Sequence, residues 1–160
     1  MKLNGMGNYF EDFIIDEEVT HCFSKTIFES DNNIFCLLTM NSHPVHINAE
    51  YAQKQQHGRI LVPGTLVFSL IVGLSVSDIS GKAIANLDYD NIKHLAPVFI
   101  GDTLYAKSRV LDKRESTRKK DRGIVYIETI GFNQNNVEVI LLRRHVLVKK
   151  SVLDKGAESI

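Results

Sequence analysis

The stretch that decides the fold runs from residue 63 to residue 76 and reads PGTLVFSLIVGLSV. A proline suits the first turn of a helix, because the N–H that it lacks would have no partner there. From Leu66 to Val76 apolar side chains occur on nearly every side of the predicted helix. A helix of this kind is buried all round. Two short buried strands are the alternative, but the run is long for a strand.

The segment before this helix predicts one strand and a shorter helix. Thr20 to Ser30 is typical of a strand, with apolar residues among polar ones. Ser30 or Asp31 can then cap a helix that ends near Asn41, because their side chains accept hydrogen bonds from free helical N–H groups. Exposed helical turns are predicted over 50–56.

The chain beyond Gly81 is rich in Val, Ile and Leu, which favour strands. It predicts a solvated loop over 113–123, a hairpin turn over 133–136, and four strands over 83–95, 103–111, 124–132 and 137–149. A curved antiparallel sheet is the economical way to cover a fully apolar helix. We therefore predict an α+β protein with a single hot-dog fold, in which the sheet wraps around the long buried helix. The domain is predicted over 1–150, with 151–160 as a loose C-terminal tail.

Length and composition narrow the function further. The chain has 160 residues, of which 44% are hydrophobic, and its formal net charge is zero, which argues against a nucleic-acid-binding protein. The apolar region 66–79 is too short and too interrupted to span a bilayer, and the N-terminus lacks the apolar run of a secretory signal. We therefore expect a cytoplasmic protein that binds neither nucleic acid nor membrane. Cys22 and Cys36 are expected to be buried reduced thiols.

Six segments, in order along the chain, resemble the MaoC-like hydratases and dehydratases. They are NYFEDF, LTMNSHPVHINAEYA, GRILVPGTLVFSLIVGL, DISGKAIANLDYD, PVFIGDTLYAKSRV and GIVYIETIGFNQ. Within that family the resemblance is close to the mesaconyl-CoA hydratase, or methylmalyl-CoA dehydratase, relatives. It implies an acyl-CoA thioester substrate, reversible addition of water to a 2-enoyl thioester, and no cofactor apart from the CoA of the substrate. It also implies a homodimer, or a higher homo-oligomer, with active sites between subunits.

The family's hydratase motif consists of Asp, any residue, Asn-Pro, an apolar residue and His. Residues 41–46 align with it as NSHPVH, so that His46 takes the position of the catalytic histidine, Asn41 that of the aspartate and His43 that of the asparagine. Gly64 matches the glycine whose backbone N–H polarises the thioester carbonyl. Histidine changes charge near neutral pH and can therefore take a proton from water and return it. The resemblance thus predicts His46, Asn41 and Gly64 as catalytic residues.

Asn41 departs from the family's pattern and leaves three interpretations open. A carboxamide carries no proton to and fro, although it can orient a water molecule. His46 then acts alone as base and acid, or a group on the substrate helps, or the hydratase chemistry is lost. In the last case the chain is a hot-dog thioesterase or a non-catalytic subunit that binds acyl-CoA.

Basic residues are expected near the entrance of the site, because CoA carries phosphate groups. Arg59, just before the buried helix, is the first candidate and Lys93 the second. His43 and Pro63 are expected to contact the substrate as well. The basic run over 118–122 is more typical of a solvated loop.

A metal site is not predicted. His43 and His46 lie three residues apart, but Pro44 stands between them. No cluster of carboxylates or cysteines matches them, and such a cluster would be needed to complete a coordination shell.

Overall fold

The computed structural model of the chain describes residues 6–151. Four helices and six strands follow a 3₁₀ turn at Phe10–Asp12, and a π-helical turn at Val76–Ser80 comes directly after the last helix. The helices are α1 (Glu29–Thr39), α2 (Pro44–Ile47), α3 (Ala49–Gln53) and α4 (Gly64–Leu74); the strands are β1 (Glu18–Thr20), β2 (Lys25–Thr26), β3 (Ala83–His94), β4 (Thr103–Glu115), β5 (Arg122–Asn133) and β6 (Glu138–Lys149).

All six strands form one antiparallel sheet. Its order is β1-β4-β5-β6-β3. The short strand β2 also pairs with β4, on the same side as β1 but nearer to the start of β4. The turn between β5 and β6 closes where the N–H of Asn136 donates to the carbonyl of Asn133 at 3.0 Å. Asn136 has a φ of 56°, a left-handed conformation that asparagine tolerates better than most residues. Among the described residues, β3 pairs only with β6 and therefore forms an edge of the sheet.

The core lies between α4 and one face of this sheet. On α4 the buried side chains are those of Leu66, Val67, Ile71 and Leu74, and they pack with strand residues such as Ile140. Burying a side chain of this kind stabilises the fold by about 1.5–3 kcal/mol. The prediction of an antiparallel sheet that packs on one central helix is confirmed.

The prediction that this helix is buried all round is wrong. Thr65, Ser69 and Gly73 are exposed, and Phe68 is only partly buried. The reason is that a single sheet covers one side of α4, so that the apolar residues on its flanks remain half open.

The predicted strand over Thr20–Ser30 is also largely wrong. Only the two short strands β1 and β2 form there, and α1 already begins at Glu29. The carboxylate of Asp31 lies 2.9 Å from the N–H of Phe28 and 2.7 Å from Nζ of Lys25, so it caps the helix from inside its first turn. The helix therefore starts before the strand pattern ends.

Two further expectations need correction. The loop predicted over 113–123 is shorter, because β4 and β5 continue pairing as far as Glu115 and Gly123. Cys22 is exposed, whereas Cys36 is buried as predicted, and burial raises the pKa of its thiol. The predicted tail lies outside the described residues except for Ser151, whose N–H donates to Glu11 at 3.1 Å.

Candidate active site

His46 lies on α2, the short helix that begins at Pro44. Its Nδ1 is 2.6 Å from the carbonyl oxygen of Leu61, and because a carbonyl oxygen can only accept, Nδ1 carries the proton. The other ring nitrogen, Nε2, therefore has its lone pair free. The half-buried ring is thus fixed in the tautomer that a general base needs.

Asn32 on α1 holds the backbone of His46 in place, and the sequence analysis missed it. Its Nδ2 donates to the carbonyl of His46 at 2.8 Å, and Asn32 is only 1% exposed. Its Oδ1 is buried without a hydrogen-bond partner among residues 6–151. The available signal was its place one helical turn before Cys36, which puts both residues on the inner side of α1.

Asn41 and His43 are linked to each other on the loop before α2. The N–H of His43 donates to Oδ1 of Asn41 at 3.3 Å, and Nδ1 of His43 accepts from the N–H of Val45 at 3.3 Å. The rings of His43 and His46 are 5.9 Å apart. Asn41 lines a groove of about 520 Å³, and its neighbours there include Leu37.

Gly64 opens a different cavity, of about 400 Å³, at the N-terminal end of α4. His57, Leu61 and His94 line the same cavity, together with apolar residues. The N–H of Gly64 has no acceptor among the described residues, because it belongs to the first turn of the helix. The positive end of the helix dipole adds to the attraction of this N–H for a negatively charged oxygen.

His46 lies beside the Gly64 cavity but is not part of its lining or of the lining of the Asn41 groove. It is next to His43 on one side and bonded to the Leu61 carbonyl, at the wall of the Gly64 cavity, on the other. The predicted catalytic residues His46 and Gly64 are therefore linked through Leu61 and do not line one common cavity. Among the described residues, Asn41 is connected to His46 through His43.

The residues predicted to bind substrate are spread more widely. The guanidinium of Arg59 stacks on the ring of Phe99 at 3.6 Å and lines a third groove, of about 620 Å³. Lys93 is exposed on β3 opposite Leu141 and does not line the Gly64 cavity. Pro63 is buried, and its carbonyl accepts from the N–H groups of two residues of α4. Their contacts with substrate remain predictions.

A second polar cluster, which the sequence analysis also missed, lies at the other end of α4. Arg144 is fully buried, and its guanidinium donates to Oγ of Ser75 at 2.8 Å and to Oδ1 of Asn86 at 3.1 Å. Burial lowers the pKa of this guanidinium, and its Nε has no partner among the described residues. A charged side chain on a strand of mostly Val and Leu gives no sequence signal of burial.

His21 links the π-helical turn to the sheet beside this arginine. Its Nδ1 is 2.7 Å from Asp78, its Nε2 is 2.8 Å from Oγ of Ser108, and that oxygen is 2.8 Å from the hydroxyl of Thr129. Burial lowers the pKa of His21, although the neighbouring carboxylate opposes this shift. Ser108 is only 2% exposed, so no substrate reaches its hydroxyl, despite the Asp-His-Ser order of a hydrolase triad.

Within the part of the chain that the structure describes, no helix is long and apolar enough to cross a membrane. Over the same residues, no group of three His, Cys, Asp or Glu side chains is placed to hold a metal ion.

Known proteins resemble this chain in sequence and in fold. Residues 12–131 match the family model of the MaoC like domain. The chain is 35% identical over 144 residues to a beta-methylmalyl-CoA dehydratase of Chloroflexus aurantiacus. This alignment covers 90% of this chain and 41% of that protein. It is 33% identical over 150 residues to a mesaconyl-CoA hydratase of Cereibacter sphaeroides. This second alignment covers 94% of this chain and 43% of that protein. The chain thus spans about two fifths of the length of these curated relatives.

A solved structure shares the fold at lower identity. It is a Mycobacterium tuberculosis protein with a double hotdog fold, which superposes with a TM-score of 0.84 over 95% of this chain and 46% of that one, at 16% identity. The predicted hot-dog fold is confirmed by this likeness.

Proposed function

This chain belongs to the MaoC-like dehydratase family, and from that premise we propose that it adds water reversibly to a 2-enoyl-CoA thioester. The hydrogen bond between His46 and the carbonyl of Leu61 supports this proposal most directly. Leu61 stands three residues before Gly64, so the segment that begins α4 also orients the ring of the proposed base. A proton transfer coupled to carbonyl polarisation requires that this base and the N–H of Gly64 act on one bound thioester.

The proposed hydration begins with a proton transfer to His46. Its Nε2 takes a proton from water while the water oxygen bonds to C3 of the enoyl group, and the π electrons of C2=C3 move towards the thioester oxygen. The N–H of Gly64 and the positive end of α4 stabilise the negative charge that gathers there. The carbonyl then re-forms as C2 takes the proton from His46, and dehydration follows the same steps in reverse.

Asn41 orients the attacking water in this proposal. Its Oδ1 accepts from the N–H of His43, and its NH₂ group has no acceptor within residues 6–151, so it can donate to a water oxygen. It cannot replace the proton-carrying function of an aspartate. The absence of one acid–base partner typically costs about 10²–10⁴ in rate, and we expect a correspondingly slow hydratase.

Arg59 is the proposed contact for the phosphates of CoA. Its stacking on Phe99 holds the planar guanidinium in one orientation, which favours paired hydrogen bonds to phosphate oxygens. Lys93 is the second proposed contact, and Pro63 and His43 are proposed to contact the acyl part. CoA thioesters as substrates, together with two free thiols, imply the cytoplasm as the place of action.

Two copies of the chain are proposed to pair through the edge strand β3. Its side chains Ile84, Leu87, Tyr89 and Ile92 are each 38–47% exposed, which is unusual for residues of these types in a sheet. Sedimentation of the wild type and of Ile92→Lys tests this, and a monomeric wild type contradicts it.

The reaction itself is tested by the absorbance of the enoyl thioester. Wild-type protein should remove the absorbance of crotonyl-CoA or of mesaconyl-CoA, and His46→Ala should abolish this change. His145→Ala, on the outer face of the sheet, is the matched control and should retain it. If the wild type leaves both substrates unchanged, the hydratase proposal is wrong.

The carboxamide of Asn41 favours a second candidate, a thioesterase on the same fold. Hydrolysis needs an activated water and a polarised carbonyl, both of which His46 and Gly64 supply, but no second proton carrier at C2 and C3. Release of free CoA thiol from the same substrates would identify this activity. Binding of the thioester in a calorimeter without hydration or thiol release would identify a non-catalytic acyl-CoA-binding subunit.

A further inference from the structure

We propose that His94 is a second hydrogen-bond donor to the thioester oxygen and acts beside the N–H of Gly64. This inference rests on the proposed hydratase function and adds a catalytic residue that lies far from the motif at 41–46 in sequence. Three features of the structure carry it: a bulge that aims the side chain, its contact with Gly64, and the absence of any other partner for its ring within the described residues.

The bulge lies near the end of β3. Asp90 pairs with Arg143 and Lys93 with Leu141, so three steps along β3 match only two along β6. Asn91, within this irregularity, has a φ of 52°, in the left-handed region. An extra residue in one strand reverses the faces of all residues that follow it, and such bulges re-aim side chains.

The reversal places His94 on the inner face of the sheet. His94 now stands opposite Ile140, which is fully buried in the core against α4, and directly opposed residues share a face. If the same residues paired regularly from Asp90 onwards, Lys93 would stand opposite Ile140 and His94 would face outwards. The register shift in β3 therefore places the imidazole of His94, rather than the side chain of Lys93, on the inner face at this end of the cavity.

The imidazole lies against Gly64. A Cβ on Gly64 would come within 2.6 Å of Cε1 and 2.7 Å of Nε2 of the ring, which real side chains do not allow. The same cavity is lined by both residues, and neither ring nitrogen has a hydrogen-bond partner among residues 6–151. An oxygen held by the N–H of Gly64 is therefore within reach of an N–H of His94.

In the proposed reaction, two hydrogen-bond donors stabilise the charge on the thioester oxygen more than one donor does. The negative charge forms on the thioester oxygen only on the way to the enolate, so a donor placed there accelerates the reaction rather than merely binding substrate. With Asn41 in place of a proton carrier, a second donor offsets part of the lost rate. The imidazole needs only its neutral form for this role, because either tautomer has one N–H.

A pair of variants separates this role from simple packing. His94→Leu keeps a side chain of similar volume without a donor, and it should lower kcat for crotonyl-CoA by about 10²–10³ with little change in KM. His94→Gln keeps an N–H donor and should retain most of the activity. His145→Leu, on the outer face, is the control, and urea unfolding of all three variants shows whether they remain folded.

A second readout does not depend on turnover. A CoA thioester of 4-(dimethylamino)cinnamic acid absorbs at longer wavelength when donors polarise its carbonyl, so its spectrum on binding the protein should shift less in His94→Leu than in the wild type or in His94→Gln. If an active wild type loses neither kcat nor this red shift in His94→Leu, the inference is wrong and the hydratase proposal stands. If the wild type hydrates no enoyl thioester, both fall together.

Discussion

Replacing Gly64 by alanine should separate stability from activity at the N-terminal end of α4. The new Cβ would lie 2.6 Å from Cε1 and 2.7 Å from Nε2 of His94. Non-bonded carbon atoms prefer about 3.5–4.0 Å, so the ring must retreat by about 1 Å. The ring of His94 is exposed at a sheet edge, so this movement costs little.

The expected changes in the free energy of unfolding and in the reaction rate differ. Gly64 is the first residue of α4, where helix propensity counts for less than in the interior, and the ring of His94 must move, so the free energy of unfolding should change by less than about 1 kcal/mol. The rate should fall by at least about 10²-fold, because a methyl group now occupies the approach of the thioester oxygen and His94 is displaced from it.

Gly73→Ala is the matched control on the same helix. A Cβ there would meet no atom within 4 Å, so the variant should gain about 1 kcal/mol and keep its rate. Urea unfolding and hydration of crotonyl-CoA measure both quantities. A Gly64→Ala protein with the rate of the wild type would refute the placement of the thioester oxygen at Gly64, and with it the reasoning from helix geometry.

Three further predictions concern other parts of the molecule. Asn41→Asp supplies a second proton carrier and should raise kcat for hydration by about 10²-fold, and an unchanged kcat would contradict the role given to this position. Because burial lowers the pKa of His21, this histidine takes up a proton at higher pH in the unfolded chain than in the folded one. The free energy of unfolding should therefore be at its full value above about pH 6.5 and should fall below that pH by up to about 1.4 kcal/mol per pH unit. Urea unfolding at pH 7.5 and 5.5 should show a smaller change with pH for His21→Gln than for the wild type. Met40 is 88% exposed with a φ of 57°, so Met40→Gly should raise the melting temperature by relieving about 1 kcal/mol of backbone strain, and a lower value would contradict this.

The fold could be predicted because its largest elements have strong local patterns. The apolar run after Gly64 and the Val- and Ile-rich runs after Gly81 correspond to α4 and to β3–β6. The region between Glu18 and Glu29 could not be predicted in this way. There the side chain of Asp31 starts a helix inside a strand-like sequence, and such capping competes with strand propensity at short range.

The site was predicted only as far as the motif reaches. The motif predicts His46 and the glycine match predicts Gly64; His46 bonds to the carbonyl of Leu61, which lines the Gly64 cavity, and the catalytic roles of both residues stay predictions. His94 and Asn32 were missed, because their positions depend on pairings with residues that are distant in sequence. Alternation along β3 would even have pointed His94 outwards, since nothing in the apolar pattern reveals one extra residue.

The irregularity of β3 has a consequence for self-association. A long, regular and apolar edge strand is a template on which further chains can add without limit. The register of β3 against β6 shifts between Ala83 and Ala85, between Asn86 and Asp88, and between Asp90 and Lys93, so the edge that β3 offers to a second copy is divided into short regular stretches. A regular strand of the same sequence, with Asp90 still opposite Arg143, would bring Lys93 opposite Ile140. The register shift at Asn91 thus interrupts the open edge and also keeps Lys93 off the face of the sheet that packs on α4.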